Sequence, residues 1–454
     1  MSLWQAGAEH ELEITGLNHA GAGVGRIDGR VVFVPDSLPG ERVRIRITET
    51  KKRYGTGTLL QVLDAAPERI EPTCPHAQFC GGCQFQHLDY EAQLKWKGLS
   101  VQDALERIGG LDLSVKPTVG MARPYEYRNN TQHAVGKQAG HMVMGFFRKG
   151  SHDIVDVSTC ELQHPLATQL ALKLKDLVRV LNIDPYDRKG HTGVLRHAVI
   201  RVSFAVEELM LVLVTRTPEL PNQAELIERL TDEIPQLVSI AHNVNPRPGS
   251  TVMGRETKVI WGKPYLVESI GDLRYAISPA SFFQVNSKQT KVLYDLVKAK
   301  LPLSGKETVL DLYCGAGTIG LYLAADAGRI IGVETAKSAV LDAEKNAELN
   351  RITNAEFRLG RAEDELPRLL QEYKEIDAVI LDPPRRGCDP SLLAELIAAE
   401  IPRIVYVSCN PATLARDLAI LTEGGYSPGT VQPVDMFPWT SHVESVVLMS
   451  RVEK

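Results

Sequence analysis

Four short apolar runs in about the last 180 residues constrain this chain more than anything else in it. They are Val309-Leu310-Asp311-Leu312, Arg329-Ile330-Ile331-Gly332-Val333-Glu334, Ala378-Val379-Ile380-Leu381-Asp382 and Ile404-Val405-Tyr406-Val407-Ser408, with leucine-spaced helical stretches between them. Runs this short and this apolar read as strands buried on both faces, and strands alternating with helices make a doubly wound parallel sheet. Ligands of such a sheet gather at the carboxyl ends of its strands. The expectation is an α/β, Rossmann-like unit over residues 271–454.

The corners after these strands carry the chemistry. Asp311-Leu312-Tyr313-Cys314-Gly315-Ala316-Gly317 leads from a strand into a helix, where glycines let a ligand approach backbone N–H groups. Glu334 ends the next strand 19 residues after Gly315, in a position to hold ribose hydroxyls. A nicotinamide dinucleotide site has a similar outline. Asp311 would repel a pyrophosphate, so a cofactor without phosphates, S-adenosylmethionine (SAM), fits better. Asp382-Pro383-Pro384-Arg385 forms a tight turn that would present Asp382 to the reacting centre.

Cys409, in Ser408-Cys409-Asn410-Pro411, stands at another strand-to-helix corner, and a helix N-terminus is expected to lower a thiol's pKa. Glu444 precedes the strand Ser445-Val446-Val447-Leu448-Met449 and would face the same edge. A thiolate that adds to carbon 6 of uracil makes carbon 5 nucleophilic toward a sulfonium methyl. A carboxylate can then remove the carbon-5 proton.

The remainder divides in two. Residues 1–66 read as a small β-barrel of the kind that binds oligonucleotides (TRAM/OB-like), with Gly21, Gly23 and Gly25 breaking the chain. In Arg42-Val43-Arg44-Ile45-Arg46-Ile47 the apolar residues face a core and the arginines form a basic face. A net charge of -5 leaves RNA binding to such local patches. Residues 67–270 are expected to be α+β and mainly antiparallel, with a helix near Tyr90–Ile108 packing Leu94, Leu99, Ala104 and Leu105. Three of the seven cysteines fall between Cys74 and Cys83, which suggests a metal site before disulfides. With neither a basic, apolar leader nor a membrane-length apolar run, a cytoplasmic protein and no membrane partner are expected. Nothing demands more than a monomer.

The motifs Ser281-Phe282-Phe283-Gln284-Val285-Asn286, Asp311–Gly317, Asp382-Pro383-Pro384-Arg385, Ser408-Cys409-Asn410-Pro411 and His442-Val443-Glu444 cover the C-terminal half in one order. That order resembles the RNA uracil-5 methyltransferases, in particular their iron–sulfur branch acting on 23S rRNA. The resemblance implies Cys409 as nucleophile and Glu444 as base. It also implies SAM contacts from Gln284, Tyr313, Glu334 and Asp382 beside the turn at Gly315, with Gln284 and Asp382 also against the target uracil. It implies an N-terminal TRAM domain. Finally, it implies a [4Fe–4S] cluster on Cys74, Cys80, Cys83 and Cys160, in a structural or RNA-folding role. By ligand type alone, four thiolates suit tetrahedral zinc as well.

Cys314 and Cys388 read as packing residues, and His442 as a local hydrogen-bonding residue. Arg128, in Tyr127-Arg128-Asn129-Asn130, reads as part of an RNA-contacting loop or as a surface arginine. Three rivals remain: the same chemistry on the T-loop uridine of tRNA, a cytosine-5 enzyme, and a non-catalytic RNA-binding iron–sulfur protein. The cytosine enzymes show a Pro-Cys motif, and the chain contains none.

Overall fold

The computed structural model describes residues 4–138 and 140–452. Five strands, Glu9–Leu17, Gly23–Ile27, Arg30–Val34, Arg42–Thr50 and Tyr54–Asp64, close into a barrel. Leu12, Ile14, Val32, Val34, Val43, Ile45 and Ile47 fill it. Gly23 and Gly25 do not interrupt the chain. They lie within a strand, where a Cβ would come within 2.1 Å of Ser37 Oγ and of Leu12 Cδ1 respectively. Here glycine answers the crowding of a small barrel's interior.

The expected basic face is also different. Arg42 Nε lies 2.7 Å from Asp64, Arg44 3.9 Å from Glu11 and Arg46 Nη2 2.7 Å from Glu9. Neighbouring strands supply a carboxylate to every arginine, with Glu11 shared between Arg42 and Arg44, so this face is a charge-paired ladder.

A seven-stranded sheet follows. Its strands run in the order Glu256–Gly262, Leu237–Val244, Leu209–Thr215, Leu195–Val202, Asn130–Gln138, His141–Phe147 and Ile154–Asp156. All pairs are antiparallel except Leu209–Thr215 with Leu237–Val244, which the helix Gln223–Glu233 connects. That helix and Pro165–Val180 cover one face through Leu170, Leu174, Leu226 and Leu230.

The C-terminal sheet has eight strands. Five are parallel, in the order Ala355–Leu359, Arg329–Glu334, Thr308–Leu312, Ala378–Leu381 and Arg403–Ser408. Glu444–Arg451 then pairs antiparallel beside Arg403–Ser408. The connections reverse direction between Thr308–Leu312 and Ala378–Leu381, the point of such a sheet at which ligands bind.

The helix Tyr90–Arg107 packs Val101 and Leu105 against Leu414, Leu418 and Leu421 of the helix Pro411–Glu423. Its buried stripe is Gln93, Lys97, Val101 and Leu105, whereas Leu99 is exposed. Two polar residues hold core positions because each has a partner. Lys97 Nζ meets Asp435 Oδ1 at 2.5 Å and the Phe437 carbonyl at 3.1 Å. Gln93 Nε2 donates to the Leu88 carbonyl, while its Oε1 accepts from Trp439 N–H. A stripe set by polar anchors is invisible to apolar spacing alone.

Candidate active site

The turn after Thr308–Leu312 is held in left-handed backbone at Tyr313, Gly315 and Gly317, with φ of 70°, 55° and 74°. Gly317 has no room for a side chain, since a Cβ would meet the Phe357 ring at 2.8 Å. A Cβ on Gly315 would meet only open space, so no protein atom covers this face of the turn. Tyr313 takes a conformation that costs a non-glycine residue about 1–3 kcal/mol, strain of a kind that collects at functional turns.

Two carboxylates hold the turn. Glu334 accepts from Gly315 N–H at 3.1 Å and from Ala336 N–H at 2.8 Å. Asp311 Oδ2 accepts from Gly320 N–H at 2.8 Å, so Asp311 secures the helix that follows. Its Oδ1 is buried with no partner. Burial, together with Asp382 and Glu334, pushes the Asp311 carboxyl up to about 7. The three glycines Gly315, Gly317 and Gly320 have the spacing of a dinucleotide turn. The buried acid behind them suits a ligand without phosphates.

Asp382 follows the neighbouring strand and is likewise pushed up to about 7 by desolvation. Cys409 begins the next corner. Its thiol is pushed up to about 11, by burial first and then by Glu444 and Asp382, with Arg385 opposing. The lowering expected from the helix N-terminus is overridden. Asn410 caps that helix with its own side chain, accepting from Ala412 N–H at 3.1 Å. Burial and the two acids together outweigh what is left of the helix field.

Glu444 is buried, and its Oε2 has no hydrogen-bond partner. Burial and Asp382 hold its carboxyl well above the usual range, while Arg385 opposes them. Glu334, Asp311, Asp382, Glu444 and Cys409 thus form one chain of interacting groups along the carboxyl edge. An unpartnered carboxylate oxygen beside a thiol is arranged to meet an atom the protein itself does not supply.

Gln284 lies in the loop ahead of the helix Ser287–Lys300, and the central sheet positions it. Asn129 Nδ2 donates to the Gln284 carbonyl and Asn129 N–H to the Val285 carbonyl, both at 2.9 Å. Buried Arg201 donates to the Ser281 carbonyl at 2.5 Å. Tyr127 donates its hydroxyl to the Pro438 carbonyl at 3.0 Å, in the segment leading to Glu444. Sequence reasoning missed Tyr127, Asn129 and Arg201. The signal was present in Tyr127-Arg128-Asn129-Asn130, a polar cluster that leads straight into a strand.

Cys74, Cys80, Cys83 and Cys160 line one cavity of about 380 Å³ together with Arg128, Phe282 and Phe283. Each thiol acts electrostatically on the other three, and burial pushes Cys83 up to about 12. Among the described residues no three His, Cys, Asp or Glu side chains converge as closely as a single metal ion requires. Arg128 faces this cavity and is neither a loop-tip nor an open-surface residue. Tyr313 leans toward Cys388, whereas Cys314 and Cys388 are buried.

The comparisons with known proteins agree with this geometry. The TRAM domain profile matches residues 3–60, and the tRNA (uracil-5-)-methyltransferase profile matches residues 250–452. An uncharacterized RNA methyltransferase of Halalkalibacterium halodurans is 47% identical over 97% of this chain and 96% of its own. Another, from Caldanaerobacter subterraneus subsp. tengcongensis, is 44% identical over 100% of both.

The chain belongs to the RNA uracil-5 methyltransferase family.

The solved structure of the Pyrococcus abyssi tRNA (uracil-54, C5)-methyltransferase with S-adenosyl-L-homocysteine superposes with a TM-score of 0.77 at 30% identity. The match covers 97% of this chain and 100% of that one. As a member of the family, the chain is a SAM-dependent RNA methyltransferase whose N-terminal barrel is a TRAM domain. Among the described residues no helix is long and apolar enough to cross a membrane.

Proposed function

We propose that this methyltransferase acts on carbon 5 of a uridine in 23S rRNA through a covalent adduct on Cys409. The observation that carries the reading is the buried, unpartnered Oε2 of Glu444 acting on the Cys409 thiol at the edge that also holds Asp382 and the glycine turn. The Cys409 thiolate adds to carbon 6, and the electron pair moves to carbon 5 and the carbonyl at carbon 4. Bound SAM supplies the electrophilic methyl group that carbon 5 takes up. Glu444 Oε2 then removes the carbon-5 proton, and the returning pair expels the Cys409 thiolate.

In the same reading the uncovered face of the turn at Gly315 and the Glu334 carboxylate hold the cofactor's ribose end. Asp382, Tyr313 and Gln284 orient cofactor and base. The target uridine must leave its stack to reach the thiol.

Cys74, Cys80, Cys83 and Cys160 would hold a [4Fe–4S] cluster. A zinc ion would draw four sulfurs to about 2.3 Å from one centre. These four thiols share the lining of one cavity of about 380 Å³, which has room for the larger group. Its contribution would be to tie the Cys74–Cys83 loop to Cys160 and so fix the cavity wall beside Phe282 and Phe283.

A second reading changes only the substrate, to the T-loop uridine of tRNA, and the likeness to the Pyrococcus abyssi tRNA enzyme favours it. Anaerobically prepared protein given labelled SAM with 23S rRNA and tRNA transcripts in separate reactions tests both. Label in 23S rRNA, mapped by mass spectrometry to 5-methyluridine, is the expected result. Label in tRNA alone moves the substrate, and label in neither removes the catalytic reading.

A further inference from the structure

Arg385 and His442 have no part in the reaction above, yet together they touch both sides of it. The Arg385 carbonyl accepts from Asn410 Nδ2 at 2.9 Å and from Thr413 Oγ1 at 3.3 Å. Residue 385 is thereby tied to the corner that begins at Cys409. The far end of its side chain bonds, from Nη2, to Nε2 of His442 at 3.1 Å. His442 lies two residues before Glu444. One arginine therefore spans from the nucleophile's corner to the base's strand.

The surrounding charges give this span a purpose. Cys409 faces two acids, Glu444 and Asp382, and one cation, Arg385. Glu444 faces Asp382 and Arg385. His442 faces Arg385, Lys97 and Arg128, and its ring meets Phe437 edge-on with centroids 5.9 Å apart. Burial and these three cations push the imidazole down to about 4, so it is neutral at physiological pH. A guanidinium only donates, so Nε2 must be the acceptor and the ring proton must sit on Nδ1.

We infer that His442 is a positioning residue whose neutral imidazole holds the Arg385 guanidinium beside Cys409 and Glu444, supplying the positive charge against which the thiolate forms. Its catalytic value rests on Cys409 being the nucleophile, while the placement of the guanidinium does not. A half-buried thiol between two acids needs a fixed cation, because a mobile one would spend much of its time in solvent. The imidazole suits the task because it accepts a hydrogen bond without adding a negative charge.

The test is the rate of Cys409 alkylation by iodoacetamide against pH, read by peptide mass spectrometry on the full chain without RNA. Alkylation needs no methyl transfer, so it decides this inference even where the methylation assay fails. His442→Leu and Arg385→Gln are each expected to raise the apparent pKa of alkylation by about one unit, which slows the reaction about tenfold at pH 8. The double variant should be no slower than either single one, since both remove the same cation. His442→Gln, whose amide oxygen reaches the place of Nε2, should stay within about twofold of the unchanged protein. If leucine at this position unfolds the chain, His442→Asn, too short to reach Arg385, carries the same expectation. An unchanged profile in the leucine or asparagine variant, additive losses in the double, or a glutamine variant as slow as leucine would each overturn the inference.

Discussion

The barrel strand Arg42–Thr50 and the carboxyl edge of the C-terminal sheet are both rich in charge and treat it in opposite ways. On the barrel, Arg42 and Arg46 are exposed and Arg44 is half-buried, and each has a carboxylate from a neighbouring strand. At the sheet edge, Asp311 and Glu444 are buried and keep carboxylate oxygens without partners. The paired, solvated charges shape a surface and contribute little to stability. The buried, unpaired ones raise the energy of the resting protein, and such groups collect at functional sites. Charge by itself therefore marks neither site. What separates the two regions is whether the protein supplies the partner.

Glu444→Gln breaks the comparison most severely, because it removes the unpartnered acid that lies beside the thiol. Turnover should fall by about 10²–10⁴-fold, the usual worth of a general base. Methyl transfer would still precede the blocked proton removal, so a covalent protein–RNA species should accumulate on denaturing gels. Full turnover in this variant would remove Glu444 from the mechanism.

Lys97→Met sharpens the comparison, because here a buried acid does have its partner. Lys97 and Asp435 are both fully buried, with Tyr90 as a second donor to Asp435 at 2.9 Å. Stranding Asp435 should cost about 3–5 kcal/mol, measured by urea unfolding. A loss below about 1 kcal/mol would mean that water replaces the lysine.

Asp382→Asn should act in the opposite sense and depend on pH. The folded-state carboxyl of Asp382 is raised to about 7, so its stabilising contribution is complete below the unfolded value near 3.8. That contribution is lost as pH rises through 7. The asparagine variant should therefore unfold at a higher temperature than the unchanged protein at pH 8, and the gap should narrow at pH 5. Equal gaps at both values would show that Asp382 titrates normally.

Arg44→Ala should have the smallest effect. Its carboxylate partner lies 3.9 Å away in solvent, and the unfolding midpoint should not move measurably in low or high salt.

The sequence carried the C-terminal sheet well, because buried parallel strands leave continuous apolar runs and their corners keep polar residues in a readable order. It also carried the barrel's inward residues, since Val43, Ile45 and Ile47 alternate as a strand must. It misled on the arginines between them, because their partners Glu9, Glu11 and Asp64 come from other strands and pairing across strands has no local signature. The helix Tyr90–Arg107 was legible as a helix but not in its buried face, where Lys97 depends on a residue more than 300 positions away. Arg201 was illegible for the same reason, since it acts on the Ser281–Asn286 loop from another sheet, whereas Asn129 stood in a legible polar cluster whose partner was hidden. The direction of the Cys409 shift was equally hidden. It depends first on how far the thiol is buried and then on how near Glu444 and Asp382 fold to it.

The most direct test of the central claim is a trap. An RNA carrying 5-fluorouridine at the mapped site has no carbon-5 proton for a base to remove, so an adduct formed on it cannot collapse after methyl transfer. With SAM present, the account predicts a complex that survives denaturation, with the modified nucleotide attached to the peptide containing Cys409. A stable complex mapped to another residue, or none from a preparation that methylates the natural RNA, would contradict it.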